Sequence, residues 1–272
     1  MTPATLATLA RPKASPTGLY PTQHRRKPER WRKLTHSVLG YLYPPACMSC
    51  DTLLPLASPS AKVFLCGSCA VDFPHRPIIT AEGHMFAYDY TGHMQHAIYK
   101  LKYGKQAHVA RGLAIAMANS ICASEQGRNL LATADMFVPV PIHPKRHRSR
   151  GFNQAELLAR YFCHELNCIQ LNPALHPHIR GPKNALIRVK NTKPMAELTP
   201  ALRKHALGGA FAHNKKVNIV NKVVVLVDDI YTTGATLDAC AQVLLANHAK
   251  RVHYLSLAVV AQKPAKPSNI VT

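Results

Sequence analysis

Two adjacent carboxylates, Asp228 and Asp229, follow directly on the apolar run Val223 to Val227 in the segment VVVLVDDIYTTGAT. The run is rich in β-branched side chains and reads as a buried strand. The carboxylates fall where that strand should end, which is where open α/β sheets bind their ligands. A short Thr/Gly turn then opens a helical pattern. Backbone N–H groups leading into a helix N-terminus suit a phosphate, so Tyr231, Thr232, Thr233, Gly234, Ala235 and Thr236 are candidate phosphate contacts. Carboxylates beside a phosphate repel it unless the ligand also offers hydroxyls or a divalent cation. A phosphorylated ribose with Mg²⁺ offers both. A strand followed by a capped helix explains Thr233 or Thr236 as a cap. It does not explain paired aspartates in a chain with 13 acidic residues.

The second chemical signal is Cys47-Met-Ser-Cys50 followed by Cys66-Gly-Ser-Cys69. The spacing is that of structural zinc sites. Two thiolates from each knuckle complete a closed tetrahedral Cys₄ shell around Zn²⁺, with no position left for catalysis. Disulfides or a redox CxxC pair are the alternatives. Nothing resembling a secretory signal precedes the cysteines, so a reducing cytoplasm is expected and zinc is favoured. Cys122, Cys163, Cys168 and Cys240 lie scattered among apolar residues, and Cys240 falls on the apolar stripe of the helix after the phosphate loop.

A third cluster, Lys145, Arg146, Arg148 and Arg150, follows the β-type run Met136 to Pro141. Guanidinium forks match phosphate oxygens better than ammonium groups do. Placed in a loop past a strand end, they would stabilise the growing charge of a departing pyrophosphate. A nucleic-acid backbone wants the same residues, and both readings stand. Asn153 and Gln154 either cap the next helix or touch ligand, capping being the simpler role.

The elements that hold these groups alternate between strand and helix. Strands are expected over His84–Tyr90, Met136–Pro141, Val223–Val227 and Val252–Val260. Helices are expected over His96–Tyr103, His108–Cys122 and Gly151–Leu166, and after the phosphate loop, where Leu237, Cys240, Ala241 and Leu244 share a face. Such alternation implies an α/β fold with a mostly parallel sheet. The expected organisation is a basic leader without periodic pattern over 1–30, an amphipathic helix and Cys₄ module over 31–80, the α/β domain over 81–262, and a flexible tail over 263–272. The leader's composition also fits an organellar transit peptide, although its prolines break a targeting helix. Lysine and arginine number 34, giving a net charge of 34 − 13 = +21. That charge favours an anionic partner. No apolar run is long enough to span a bilayer, so a soluble protein is expected.

The segment Val223–Thr236 resembles the phosphoribosyl-pyrophosphate (PRPP) motif of type I phosphoribosyltransferases. In that family the carboxylates hold the ribose 2′ and 3′ hydroxyls and the loop wraps the 5′-phosphate. The resemblance therefore gives Asp228 and Asp229 the ribose and Tyr231–Thr236 the phosphate. Three further segments, with the cysteine spacing, are similar to the competence protein F (ComF) family. They are Leu39–Cys50, Lys100-Leu-Lys-Tyr103, and Val138–Pro144 with Arg148-Ser-Arg-Gly-Phe-Asn-Gln154. The match covers roughly residues 35 to 262. It implies a type I phosphoribosyltransferase-type sheet with a small N-terminal zinc-ribbon-like module, in a bacterial cytoplasmic protein linked to DNA uptake or to the use of DNA as a nutrient. Between Leu186 and Phe211 the family pattern is kept at Arg188, Thr192, Arg203 and Phe211. Its expected Gln and Asn are replaced by Met195 and Ala206.

Two functions from different classes follow. One is a phosphoribosyltransferase that binds PRPP or a ribose phosphate with Mg²⁺ and transfers the pentosyl group to a nitrogen acceptor. The other is a non-catalytic accessory protein that binds single-stranded DNA alongside DNA-uptake machinery. The aspartate pair favours the first, because DNA binding has no use for carboxylates in its groove. The charge, the basic leader and the Cys₄ module favour the second.

Overall fold

The central strand is set by its own composition. Val224 to Val227 are buried on both faces, as a strand covered by helices on each side must be. The computed structural model describes residues 45–55, 64–71, 73, 77–104, 106–169, 181–191 and 207–260. The basic leader, the helix expected over Arg30–Tyr43, the C-terminal tail, and Thr192, Met195, Arg203 and Ala206 lie outside the described residues.

In chain order the elements are α1 (Gly67–Ala70), β1 (Ile78–Ile79), β2 (Met85–Asp89), α2 (Gly92–Tyr103), α3 (Val109–Ala123), α4 (Glu125–Ala132), β3 (Met136–Pro139), α5 (Pro144–Arg150), α6 (Gln154–Ile169), β4 (Leu186–Arg188), β5 (Phe211–His213), β6 (Val223–Tyr231), α7 (Ala235–Ala246) and β7 (Arg251–Val259). The main sheet runs β1-β2-β7-β6-β3. β2, β7, β6 and β3 are mutually parallel, and only the edge strand β1 is antiparallel. β4 and β5 form a separate antiparallel pair. The α/β class and the mostly parallel sheet are as the alternating pattern predicts.

Alternation along the strands divides the interior into two cores. On one face Met85, Phe137, Val225 and Leu255 pack against Leu113 and Met117 of α3 and Leu158 and Phe162 of α6. Each fully buried side chain of this size is worth roughly 2 kcal/mol by transfer. Phe137 meets Phe162 edge-on at 5.8 Å, which ties β3 to α6. On the other face Val138, Val224 and Leu226 pack against Leu237, Cys240 and Leu244 of α7, with Leu186 and Phe211 of the small sheet. Cys47, Met48, Leu54, Leu65, Cys69 and Phe73 belong to the first core. The cysteine segment therefore packs on the α/β body directly.

Several boundaries shift by a few residues: α2 begins at Gly92, β3 ends at Pro139 and α6 runs from Gln154 to Ile169. Two differences bear on the site. β6 does not stop at Val227 but continues through both aspartates to Tyr231, because β7 accompanies it that far, with Asp228 beside Ser256 and Tyr231 beside Val259. Residues Pro144–Arg150 form a helix, not a loop. Pro144 sits in the first turn, the His143 ring accepts a hydrogen bond from the Lys145 N–H, and Gly151, at φ +85°, ends it in the left-handed conformation.

Candidate functional site

A crevice opens beside β6 where its neighbour leaves. The Val140 N–H donates to the Val227 carbonyl at 2.9 Å. On either side of Val140 stand Pro139 and Pro141, which have no N–H to extend the ladder. β3 therefore peels away, and the edge of β6 at Asp228 and Asp229 faces a cleft of about 430 Å³. Asn153 fixes the far wall. Its amide donates to the Val140 carbonyl at 3.0 Å, and its side-chain oxygen caps α6 by accepting from the Ala155 N–H at 3.2 Å.

The carboxylates are not equivalent. Asp229 is buried, and Lys102 at the end of α2 holds it at 2.9 Å. Burial alone would lower the Lys102 pKa, but the Asp229 carboxylate, with Asp228 and Tyr90 adding to it, leaves the ammonium above its ordinary value. Asp228 accepts the Asp229 backbone N–H at 2.8 Å. Burial, reinforced by the Asp229 charge, pushes its carboxyl up to about 7, with Lys102 opposing. One carboxylate is thus neutralised by a lysine, while the other keeps its proton up to about neutral pH unless a cation in the cleft displaces it.

Asp228, Asp229, Thr232, Thr236, Arg146 and Arg150 all line this cleft. Arg148 does not; it is exposed on another side of α5. Thr233 and Ala235 face a neighbouring hollow bounded by Phe211 and Tyr254. Tyr231 packs against Phe86 at 4.7 Å instead of lining the cleft. Gly234 sits at φ +77° as the cap residue of α7, and a Cβ there would lie 2.7 Å from the Tyr231 hydroxyl oxygen. No side-chain hydrogen bond caps the start of α7, although Asp238 lies in its first turn, so its first backbone donors are left for a ligand or solvent.

Two cationic groups of the site, Lys102 and Arg188, carry no local signal in the sequence that marks them as site residues. Lys102 was visible only as part of a basic helical segment; its partner Asp229 is distant in sequence. Arg188 was visible only as a family-pattern position. Its guanidinium lies 5.2 Å from the Phe211 ring and lines the cleft near Asp228. Burial, with the nearby Arg146 charge, lowers its pKa.

The four sulfurs of Cys47, Cys50, Cys66 and Cys69 lie within 4.8 Å of one another, and those of Cys50 and Cys66 are 3.6 Å apart. A tetrahedral Zn–S shell requires about 3.8 Å between sulfurs, so the set fits a structural zinc ion. Hydrogen bonds prepare the thiolates. The Ser68 hydroxyl brings Cys66 down to about 6, and the Thr52 hydroxyl lowers Cys50. Burial keeps Cys69 high in the absence of metal. By contrast, burial raises Cys122 to about 11 and Cys163 to about 12, and Cys240 well above its ordinary value. These thiols have the chemistry of core residues.

A parallel sheet with a carboxylate pair at the carboxyl end of a central strand, a Thr/Gly loop and a following helix defines a phosphoribosyltransferase-type domain. Residues 163–272 match the family model described as the phosphoribosyl transferase domain. The chain is 30% identical over 206 residues to the DNA utilization protein YhgH of Salmonella typhimurium, covering 76% of this chain and 80% of that protein. It is 28% identical over 180 residues to competence protein F of Haemophilus influenzae, covering 66% and 71%. It is 33% identical over 110 residues to competence protein ComFC of Bacillus subtilis, covering 40% and 38%. The chain belongs to the ComF family. Among the described residues no helix is long and apolar enough to cross a membrane.

Proposed function

We propose that the cleft binds PRPP, or another ribose 5-phosphate, with Mg²⁺, and that the protein transfers the phosphoribosyl group to a nitrogen acceptor. The observation that carries this reading is the Asp228–Asp229 pair at the end of β6, facing the same cleft as Thr232, Thr236 and Arg146. Asp228 and Asp229 would accept the ribose hydroxyls. The loop from Tyr231 to Thr236 and the start of α7 would hold the 5′-phosphate. Arg146 and Arg150 would face the pyrophosphate, and Arg148 contributes only if α5 shifts. Carboxylate and ligand oxygens suit a hard cation such as Mg²⁺, which supplies charge neutralisation when bound.

In the reaction the anomeric C–O bond to pyrophosphate breaks and a C–N bond forms. The acceptor nitrogen gives up its proton, and the pyrophosphate leaves as the anion. This chain's residues would orient the sugar and stabilise charge without a protein nucleophile. Zinc at Cys47, Cys50, Cys66 and Cys69 would be structural. A cytoplasmic setting, which keeps thiols reduced, suits both the cysteines and the substrate.

A second reading has its own observation. Lys145 and Arg148 are exposed on the outer side of α5, in a chain of net charge +21. Relatives are named for DNA utilization and competence. A non-catalytic role on single-stranded DNA, beside DNA-uptake proteins, would use that outer side.

Calorimetric titration of the zinc-loaded protein with PRPP and Mg²⁺ tests the first reading. Binding that disappears in Asp228→Ala/Asp229→Ala supports it, and the absence of binding by the parent protein sinks it. Salt-dependent single-stranded DNA affinity that survives the double substitution supports the second.

A further inference from the structure

Of the four cysteines outside the Cys₄ module, Cys168 alone is exposed, although cysteine is among the residues most often buried. It lies in the last turn of α6, one turn beyond His164, which is also exposed. Residues four apart on a helix share a face, and helical zinc sites use this spacing. The Cys168 sulfur is 3.8 Å from the His164 Nδ1. A tetrahedral Zn²⁺ ion asks for about 3.6 Å between a sulfur and a nitrogen ligand, so the pair is spaced to share one ion. A Glu165 carboxylate oxygen joins them, and the three ligand atoms all lie within 4.8 Å of one another. Among the described residues no cation pairs with that carboxylate, in a chain where lysine and arginine outnumber acids 34 to 13. The negative end of the helix dipole lies in the same turn and favours a cation. A thiol–imidazole hydrogen bond would account for the pair, but not for the third ligand atom beside it.

We propose that His164, Glu165 and Cys168 form a second zinc site at the end of α6, separate from the Cys₄ module and from the cleft. Mixed nitrogen, oxygen and sulfur donors suit a borderline-soft divalent ion. Thiolate and carboxylate together neutralise it, the imidazole binds uncharged, and the thiol proton passes to solvent. Three protein ligands leave one tetrahedral position for water or an outside ligand, where the Cys₄ shell is closed. The bound zinc is therefore exchangeable. α6 begins at Gln154, which lines the cleft, and its far end lies roughly 20 Å along the helix axis. The second site thus stands or falls without the ribose-phosphate reading.

The test dialyses the full chain, carrying zinc at the Cys₄ module, against a graded series of free Zn²⁺ and counts metal per chain. The parent protein is expected to take up a second zinc. Cys168→Ser and His164→Gln should keep the first and weaken the second by roughly tenfold or more, since even the loss of a group that supports a ligand costs that much. Both side chains are exposed, so the variants should melt at the parent's temperature when only the first zinc is bound. A second readout needs no variant. Added zinc should slow alkylation of Cys168 by iodoacetamide, followed by peptide mass mapping, and His164→Gln should abolish that protection. A parent protein that never exceeds one zinc per chain overturns the proposal. So does a second zinc held equally well by both variants, which would assign it to other histidines, or a Cys168 alkylation rate indifferent to zinc.

Discussion

At the scale of the residue, Asp228 holds its proton up to about pH 7 when folded, against 3.8 for an ordinary carboxyl. Between those values the unfolded chain binds fewer protons than the folded one, so this group makes stability fall as pH rises through the window. Asp228→Asn is expected to raise the Tm at alkaline pH by on the order of 2–4 °C and to leave it unchanged below about pH 4, as calorimetric scans at the two pH values would check. Its neighbour in the loop is constrained by geometry instead. Gly234 combines φ +77° with a space already filled by the Tyr231 hydroxyl. Gly234→Ala should cost roughly 1–2 kcal/mol in urea unfolding from the left-handed backbone alone, more once Tyr231 is displaced. The aspartates, the loop and the four cysteines were legible because each set is contiguous or regularly spaced. Lys102 and Arg188 were not, since their roles come from folding distant segments against β6.

Among the elements, α2 joins the cysteine cluster to the cleft. At its start the His93 ring nitrogen lies 3.0 Å from the Ser49 hydroxyl and 3.6 Å from the Cys69 sulfur. Further along, Lys100 donates to the Ser49 carbonyl at 2.7 Å and to Asp51 at 2.6 Å, and Lys102 reaches Asp229. Removing metal with a chelator should therefore lower the Tm and also weaken ribose 5-phosphate binding, although no cysteine touches the cleft. Lys100→Met, with zinc retained, should cost about 1 kcal/mol of stability through the lost hydrogen bond to Ser49, measurable by chemical denaturation. Full stability in both cases would show that α2 holds its place unaided. Long apolar patterns made β6, α3, α6 and α7 legible in the sequence. The helix α5 was not, because none of its residues is buried, so it has no apolar stripe to read. Its signals are local: a proline start, a histidine cap and a glycine stop.

For the whole molecule, charge and shape suit different kinds of partner. The +21 charge acts at long range and is screened by salt, whereas the cleft acts by contact. Single-stranded DNA affinity is expected to fall steeply with salt and to survive Asp228→Ala/Asp229→Ala, while PRPP binding is expected to be lost in that variant; filter binding across a salt series separates the two. The parallel sheet could be anticipated from alternating strands and helices, but the depth at which the cysteine segment enters the core could not. Phe64 and Met48 approach Gly112 of α3 so closely that a Cβ there would lie 2.9 Å from one and 3.0 Å from the other. Cys47, Leu54, Leu65 and Phe73 share the core of α3 and α6. A shortened gene product starting near residue 81 would lose one wall of that interior, exposing apolar surface to aggregation. Any attempt to trim the chain to its sheet for crystallisation, or to graft the sheet alone onto another protein, must carry the cysteine segment along.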